Sequence, residues 1–273
     1  MTMCLRLRPN TTLSLPFSAS KHFLKLNPKP SLSFTPYSHS STSYFSSKIT
    51  MSSSPTQTIE HIVLFKVKDD TDPSKVNAMV NGLSSLKSID QVLHITAGPL
   101  LRNRSSTLNF THMLHSRYSS KDDLNAYSQH PNHMSVVKES VLPICEDIMA
   151  VDWVAEDLQG PASLSPGSAL RVTFLKLKEN LEEEKKSEIL GVIKGIKNSF
   201  GQISQLTCGE NFSPGRAKGY SIASIAVFPG QSELEALDSD EELVKLQKEK
   251  VKEHLESVVV VDYLVSLPQS ASL

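Results

Sequence analysis

The chain has 273 residues, a formal net charge of −1 and a sequence pI near 6.8. This balance of charge offers no basic field for nucleic acid and no polybasic stripe for a membrane surface. No apolar run approaches the roughly 18 residues of a spanning helix, and the cysteines form neither a CxxC pair nor a disulfide framework. We therefore expect a soluble protein from a reducing compartment, with neither a nucleic-acid nor a membrane partner.

Residues 1–50 contain no acidic residue, whereas arginines and lysines are interspersed with many serines and threonines. This composition is typical of a transit peptide, and its low apolar content predicts a disordered leader that is cleaved after import into chloroplasts. An unstructured tail without a targeting role is the alternative. Met51 offers a second start of translation.

A first structural unit is predicted over residues 58–156. It opens with an alternating strand over 62–68, and Asp72 followed by Pro73 then indicates the N-cap and first position of a helix. The later elements are two strands, two helices separated by a proline, and a final strand, over 92–97, 110–118, 121–128, 131–146 and 148–154.

Residues 170–266 repeat this pattern 110 positions later. Phe65-Lys66-Val67-Lys68 aligns with Leu175-Lys176-Leu177-Lys178, and Gly98 falls near Gly209 after a one-residue slip. Such a repeat indicates a shared supersecondary unit. A linker rich in glycine and proline, residues 157–169, joins the two units, and residues 267–273 form a tail.

The order strand, helix, strand, strand, helix, strand predicts two ferredoxin-like (βαββαβ) units and an α+β fold class. Helices cover only one face of such a sheet, so the other face needs a second layer. We predict that the two units pair through their sheets into an intramolecular α/β barrel, a pseudo-dimer. Whether two chains also form a homodimer is left open.

Five polar side chains of the first unit are candidates for chemistry. His61 and His112 are predicted on apolar strand faces, Tyr127 ends a short helix, and His130 and His133 lie at the start of the next. A helix N-terminus disfavours imidazolium by roughly 0.3–1 kcal/mol, so His133 is expected to be a neutral proton acceptor. Tyr127 would be its hydroxyl partner.

Two other interpretations of these histidines remain open. Histidines on apolar strand faces are often hydrogen-bonded core residues. His130 and His133, together with His61 or His112, would alternatively supply imidazole ligands to zinc, although no cysteine or carboxylate is fixed nearby by spacing. Three further histidines have no assigned role: His94, His115 and His254.

The second unit lacks this set. The positions 110 residues later carry Arg171, Ile222, Leu237, Asp240 and Leu243. Retention of polar residues in one unit alone favours a functional site there, although the pairing of two unlike halves would also relax the constraints on each. We therefore expect the only polar small-molecule pocket to lie in the first unit.

Four stretches of the first unit resemble the stress-responsive dimeric α/β barrel (Dabb) family. The matching stretches are His61–Lys66, Phe110–His112, the Tyr-x-x-His-Pro-x-His motif within Asn125–His133, and Asp147–Trp153. The second unit resembles the same domain without that motif. The whole layout is similar to plant tandem members of this family from peroxisomes or plastids, most of which have no settled activity.

One member of the family is a polyketide cyclase that makes olivetolic acid without a cofactor. The resemblance implies acid–base roles for Tyr127 and His133, whereas this chain has Leu83 where the cyclase has a pocket tyrosine. It also implies a ligand-binding set: His61, Phe65, Leu83, His112 and His130. Some family structures hold Mg²⁺ on backbone carbonyls that correspond to Leu86–Val92, but no cofactor is otherwise expected.

These observations favour a stress-response protein whose barrel binds a small hydrophobic or phenolic ligand. The alternative is a cofactor-free enzyme that catalyses an aldol cyclisation, with His133 as base and Tyr127 as its partner. RNA binding by a ferredoxin-like sheet is disfavoured by the charge and by the absence of an aromatic RNP pattern.

The final residues Ala271, Ser272 and Leu273 are close to the Ser-Lys-Leu peroxisomal address, from which they depart at the middle position. A peroxisomal location is therefore our first expectation for the mature protein. The alternative is a chloroplast location directed by residues 1–50.

Overall fold

The computed structural model describes residues 57–266 except 106–107, 157, 241, 243–244 and 246–248. The predicted leader, the terminal Ala271, Ser272 and Leu273, and Leu243 all lie outside the described residues. The two repeats belong to a single structural unit. Among the described residues, no helix combines the length and the apolar character of a membrane span.

The first repeat forms a four-stranded antiparallel sheet with helices on one face. Its strands are Thr58–Val67 (β1), His94–Pro99 (β2), His112–Tyr118 (β4) and Cys145–Ala155 (β5), in the order β2-β4-β1-β5, and a short strand, Arg102–Asn103 (β3), leaves it. Its helices are Pro73–Ser85 (α1), Lys121–Gln129 (α2) and Pro131–Val136 (α3), and α3 continues through a π turn at Val137–Val141.

Local sequence signals explain these boundaries. The carboxylate of Asp72 accepts a hydrogen bond from Ser74 N at 2.7 Å, and Pro73 follows as the first residue of α1. The helix predicted to reach residue 146 ends earlier, because the π turn is followed by Pro143 and β5 begins at Cys145.

The second repeat has the same order of elements. Its strands are Ala169–Leu177 (β6), Gln205–Glu210 (β7), Ile222–Phe228 (β8) and Leu255–Leu264 (β9), and its helices are Glu183–Ser199 (α4) and Gln231–Ser239 (α5). Its sheet has the order β3-β9-β6-β8-β7, so β3 of the first repeat has joined it. The predicted α+β class with two ferredoxin-like units is confirmed.

The two sheets pack face to face into one barrel. Its interior contains fully buried apolar side chains from both repeats, among them Ile62, Leu64, Trp153, Val172 and Tyr263. The two lines along which the sheets meet, here called the seams, require glycine. A Cβ at Gly209 would lie 3.0 Å from Val154 O and 3.1 Å from Trp153 Cδ1. In the same way, a Cβ at Gly98 would lie 3.3 Å from the hydroxyl oxygen of Tyr263.

A short segment of each repeat, here called its arm, packs on the other repeat. In one direction β3 pairs with β9, so that Arg102 lies opposite Asp262. In the other direction Phe212 N donates to Asp152 O at 3.0 Å, and the side chain of Asn211 accepts from Asp152 N at 3.1 Å. The exchanged arms make the two repeats an interlocked pseudo-dimer.

The barrel also contains a buried polar network on the first sheet. The carboxylate of Glu60 accepts hydrogen bonds from His115 Nε2 at 2.6 Å, Arg117 Nε at 3.1 Å and Thr207 Oγ1 at 3.0 Å. Burial alone would raise the pKa of Glu60, but the charges of Arg117 and His115 and their hydrogen bonds lower it to about 2. His115 therefore has a structural role that its spacing did not reveal.

Candidate active site

A cavity of about 400 Å³ lies in the first repeat between its sheet and its helices. Its apolar walls come from β1, α1, β4 and β5 and from the π turn: Val63, Phe65, Leu83, Leu114, Val137, Val141 and Ile148. Its polar side chains include His61, Tyr127, His133 and Asp152. The arm of the second repeat, Ser213–Arg216, completes the wall.

His61 and Asp152 form a hydrogen-bonded pair at one end of this cavity. They lie directly opposite each other on β1 and β5, and His61 Nδ1 donates to Asp152 Oδ1. Burial alone would raise the pKa of Asp152, but the charge of His61 and hydrogen bonds from His61 and Ser213 lower it. The carboxylate therefore fixes the tautomer of His61, and Nε2 is left as the acceptor of the neutral ring.

Tyr127 lies beside this pair on α2, with its ring centroid 6.5 Å from that of His61. Its hydroxyl interacts with Tyr118, whose own hydroxyl is 2.9 Å from Ser116 Oγ. Burial is the main cause that raises the pKa of Tyr127. Tyr127 therefore stays protonated at neutral pH and can donate a hydrogen bond.

His133 contacts Tyr127 from the first turn of α3, with 4.6 Å between their ring centroids. Its Nδ1 donates to the carbonyl of Ser128 at 3.0 Å, so Nε2 is the basic nitrogen of the neutral ring. Burial is the main cause that lowers the pKa of His133, and the nearby His61, Arg216 and His130 lower it further. The pKa of His133 is thus lowered as expected, but burial is its principal cause.

The structure brings five of the seven predicted site residues together and leaves two outside the cavity lining. The five that line the cavity are His61, Phe65, Leu83, Tyr127 and His133. His112 is turned to its neighbour Thr111, whose Oγ1 is 2.8 Å from His112 Nδ1. The ring of His130 instead caps α3, where its Nδ1 accepts from Asn132 N at 3.2 Å.

Sequence reasoning missed Asp152 and the covering arm. A signal for Asp152 was present, because an aspartate recurs at equivalent places in two otherwise apolar strands, Asp152 in β5 and Asp262 in β9. Pairing it with His61 required the register of β1 on β5. The arm could not be found from the first repeat alone, since it belongs to the second.

The expectation of a single polar pocket is wrong. A second cavity of about 420 Å³ lies at the equivalent place in the second repeat, lined by Arg171, Asp238 and Arg104 together with apolar side chains. The prediction rested on proton-transfer residues, and arginine, which cannot serve as a base at neutral pH, is not one of them.

The described residues give no support to a metal centre. They contain no group of three or more histidine, cysteine, aspartate or glutamate side chains arranged to hold an ion. In the segment implied for Mg²⁺, the carbonyls of Leu86 and Ile89 accept hydrogen bonds from Ile89 N and Val92 N.

The fold and the site together define a tandem α/β barrel with a small-molecule cavity in its first repeat. The stress responsive A/B barrel domain (Dabb) matches residues 59–155 and 170–265. The chain therefore belongs to this family, and the predicted recognition is confirmed.

Relatives and a solved structure agree with this assignment. One stress-response A/B barrel domain-containing protein of Arabidopsis thaliana is 51% identical over 278 residues, covering 99% of this chain and 100% of that protein. A second such protein of the same plant is 51% identical over 211 residues, covering 76% of this chain and 96% of that protein. An anthrone oxidase-like protein of known structure has a TM-score of 0.51 at 11% identity, covering 80% of this chain and 94% of that one, which shows the fold alone.

Proposed function

We propose that the first cavity binds a small, mainly apolar ligand that donates a hydrogen bond from a phenol or enol hydroxyl. The observation that carries this proposal is the pair of imidazoles, His61 and His133, each held through Nδ1 by an acceptor. Each neutral ring thus offers Nε2 as an acceptor for a ligand hydroxyl.

The size and the lining of the cavity fit this ligand class. Its volume of about 400 Å³ is within the range of roughly 300–1,000 Å³ usual for small-molecule pockets. Buried Phe65 and Leu83 provide an apolar wall for a ring or a short alkyl chain.

Calorimetric titration of the intact chain with para-pentylphenol tests the proposal. His133→Ala should weaken binding by about tenfold, since one hydrogen bond to a buried group contributes about 1 kcal/mol or more. His130→Ala is the matched control, because His130 lies on the same helix start but outside the cavity lining. Equal affinity of His133→Ala and the parent, or no saturable binding by the parent, would overturn the proposal.

The same geometry favours a second candidate, a cofactor-free aldol cyclisation of a polyketide-like substrate. His133 Nε2 would remove a proton from the carbon between two carbonyls, and the resulting enolate would attack a distal ketone to form the new carbon–carbon bond. Protonated Tyr127 would donate its proton to the developing alkoxide, and the His133 imidazolium would return the abstracted proton to the Tyr127 phenolate, which regenerates both side chains. The observation that favours this candidate is the contact between a neutral base and a protonated phenol.

Incubation with a linear 3,5,7-triketo ester separates the two candidates, because its C2 lies between two carbonyls and closes a six-membered ring on attacking C7. Mass spectrometry detects the phenolic product that forms when this aldol loses water and enolises. Catalysis predicts a product whose rate falls by about 10²- to 10⁴-fold in His133→Ala. Saturable binding of para-pentylphenol without any product from the triketo ester would leave a binding protein. Product formation that is unchanged in both His133→Ala and Tyr127→Phe would eliminate the proposed acid–base pair.

A further inference from the structure

The second cavity has a polar end of its own, built from an arginine–aspartate cluster. Arg171 Nε and Nη2 donate to the two carboxylate oxygens of Asp262 at 2.8 and 3.0 Å, and Arg171 Nη1 donates to Asp238 at 2.7 Å. Arg104 reaches the same two carboxylates from the crossing arm, with Nε 3.1 Å from Asp262 Oδ2. The Asp262 side chain is fully buried.

This cluster presents hydrogen-bond donors to the cavity. Guanidinium groups have five N–H donors each and no acceptor, and their partners here engage three donors of Arg171 and two of Arg104. Arg171, Arg104 and Asp238 line the cavity, whereas Asp262 does not. Both carboxylate oxygens of Asp238 already accept hydrogen bonds from these two arginines. Further N–H groups at this end are therefore suited to an acceptor oxygen on a ligand.

The charge of the cluster decides which acceptor fits. Arg102 joins Arg171 and Arg104, and Glu235 joins Asp238 and Asp262, so three guanidinium groups face three carboxylates. Since these formal charges cancel, an added carboxylate would leave an excess negative charge in a partly buried place. An uncharged oxygen acceptor avoids that cost.

The remaining described wall is mainly apolar, although the hydroxyl side chains of Thr173 and Ser224 also belong to it. Ile193 and Leu237 are nearly buried, and Ile196, Val258 and Val260 contribute further branched side chains. A volume of about 420 Å³ accommodates a chain or ring of small-molecule size. The cavity thus combines one donor-rich end with an otherwise hydrophobic body.

We propose that this second cavity binds an apolar molecule headed by an uncharged carbonyl, such as a medium-chain ketone, ester or lactone. The carbonyl oxygen accepts from Arg171 and Arg104, while the hydrocarbon part lies against Ile193 and Val260. The two repeats thereby bind ligands of opposite hydrogen-bonding character.

Methyl NMR of the intact chain, labelled at isoleucine and valine, locates the ligand in the unaltered protein. Three probes of equal chain length are titrated: methyl hexyl ketone, octanoate and octylammonium. The ketone should shift the methyl signals of Ile196, Val258 and Val260 and bind more tightly than either ion. Shifts confined to Val63 and Ile148 of the first cavity, an equal response to all three probes, or no saturable response would overturn the proposal.

A pair of equivalent substitutions then tests the site independently. Ile193→Trp fills the second cavity and should weaken the ketone by at least about tenfold, a loss of about 1.4 kcal/mol. Leu83→Trp fills the first cavity from the matching position of α1 and should leave ketone binding unchanged. Weakened binding in Leu83→Trp together with unchanged binding in Ile193→Trp would place the ketone in the first repeat and overturn the proposal. If Ile193→Trp fails to fold, the methyl shifts of the unaltered chain still show which cavity the ketone occupies.

Discussion

The two cavities occupy equivalent places in one repeated backbone, yet their polar ends differ in kind. In the first repeat His61 lies opposite Asp152 on the neighbouring strand, and in the second Arg171 lies opposite Asp262 in the same register. The aspartate is thus kept and its partner is exchanged. A histidine can gain and lose a proton near neutral pH, whereas an arginine remains charged.

The two polar ends therefore differ in the groups that they present. The first end offers basic nitrogens and a protonated phenol within one cavity, while the second is an ion-pair cluster that also fastens the arm of the first repeat. The repeated fold therefore carries a histidine–aspartate pair in one half and an arginine–aspartate cluster at the same place in the other.

The largest effect is expected inside the barrel, where the first sheet carries Glu60, His115 and Arg117 and the matching positions of the second sheet carry Leu170, Ile225 and Val227. Glu60→Leu copies the second-repeat counterpart Leu170 but leaves His115 and Arg117 buried without their carboxylate. We expect the free energy of unfolding to fall by about 3–5 kcal/mol. Urea unfolding followed by circular dichroism measures this change.

A triple variant provides the control for that loss. Glu60→Leu, His115→Ile and Arg117→Val together install the residues of the second repeat, and much of the stability should return because no unpaired charge remains. A triple variant less stable than Glu60→Leu would mean that the side-chain volume of the network matters more than its charges.

The second effect compares the two aspartates directly. Asp262→Ala leaves Arg171 with a permanent charge and without its principal partner, so a loss of about 3–5 kcal/mol in the free energy of unfolding is expected. Asp152→Ala should cost only about 1–2 kcal/mol, since the ring of His61, unlike the guanidinium of Arg171, carries no permanent charge. Losses of equal size would contradict the distinction between the two pairs.

A smaller effect is expected in the dependence of stability on pH. Burial is the main cause that lowers the pKa of His94 to about 3 from 6.5, so the unfolded chain takes up this proton first as the pH falls. Stability should therefore decline from about pH 6.5 towards about pH 3. His94→Gln, which copies Gln205 at the matching register position, should reduce that decline.

Glu60 provides an internal reference for the same titration. Its pKa is about 2 in the folded protein against 4.5 ordinarily, so its contribution is present above pH 4.5 and is lost as the pH falls towards 2. That acid limb should persist in His94→Gln. Denaturant midpoints at a series of pH values test both statements, and an unchanged decline between pH 6.5 and 4.5 would exclude His94 as its source.

The architecture could be predicted from the sequence because the internal repeat is visible in the residues themselves. The 110-residue spacing, the turn residues and the alternation of apolar residues predict two units and their pairing, and Gly98 and Gly209 mark the two seams. Apolar periodicity reports which residues face the interior, and that information is local to each strand.

The site was predicted only in part because its contacts are not local. Spacing could suggest Tyr127 and His133, which lie within one motif, but the pairing of His61 with Asp152 depends on the register of strands 91 residues apart. The turn of His112 towards Thr111 depends on a side-chain contact that strand alternation does not specify. The arms that complete both cavities come from the opposite repeat.

A crystal structure of the intact chain soaked with equal amounts of para-pentylphenol and methyl hexyl ketone tests the central claim most directly. We expect the phenol in the first cavity, with its hydroxyl within hydrogen-bond distance of His61 or His133. We expect the ketone in the second cavity, with its oxygen beside Arg171. Both probes in the same cavity, or the phenol beside Arg171 and the ketone beside His61, would contradict the claim that the exchanged residue sets the ligand of each repeat.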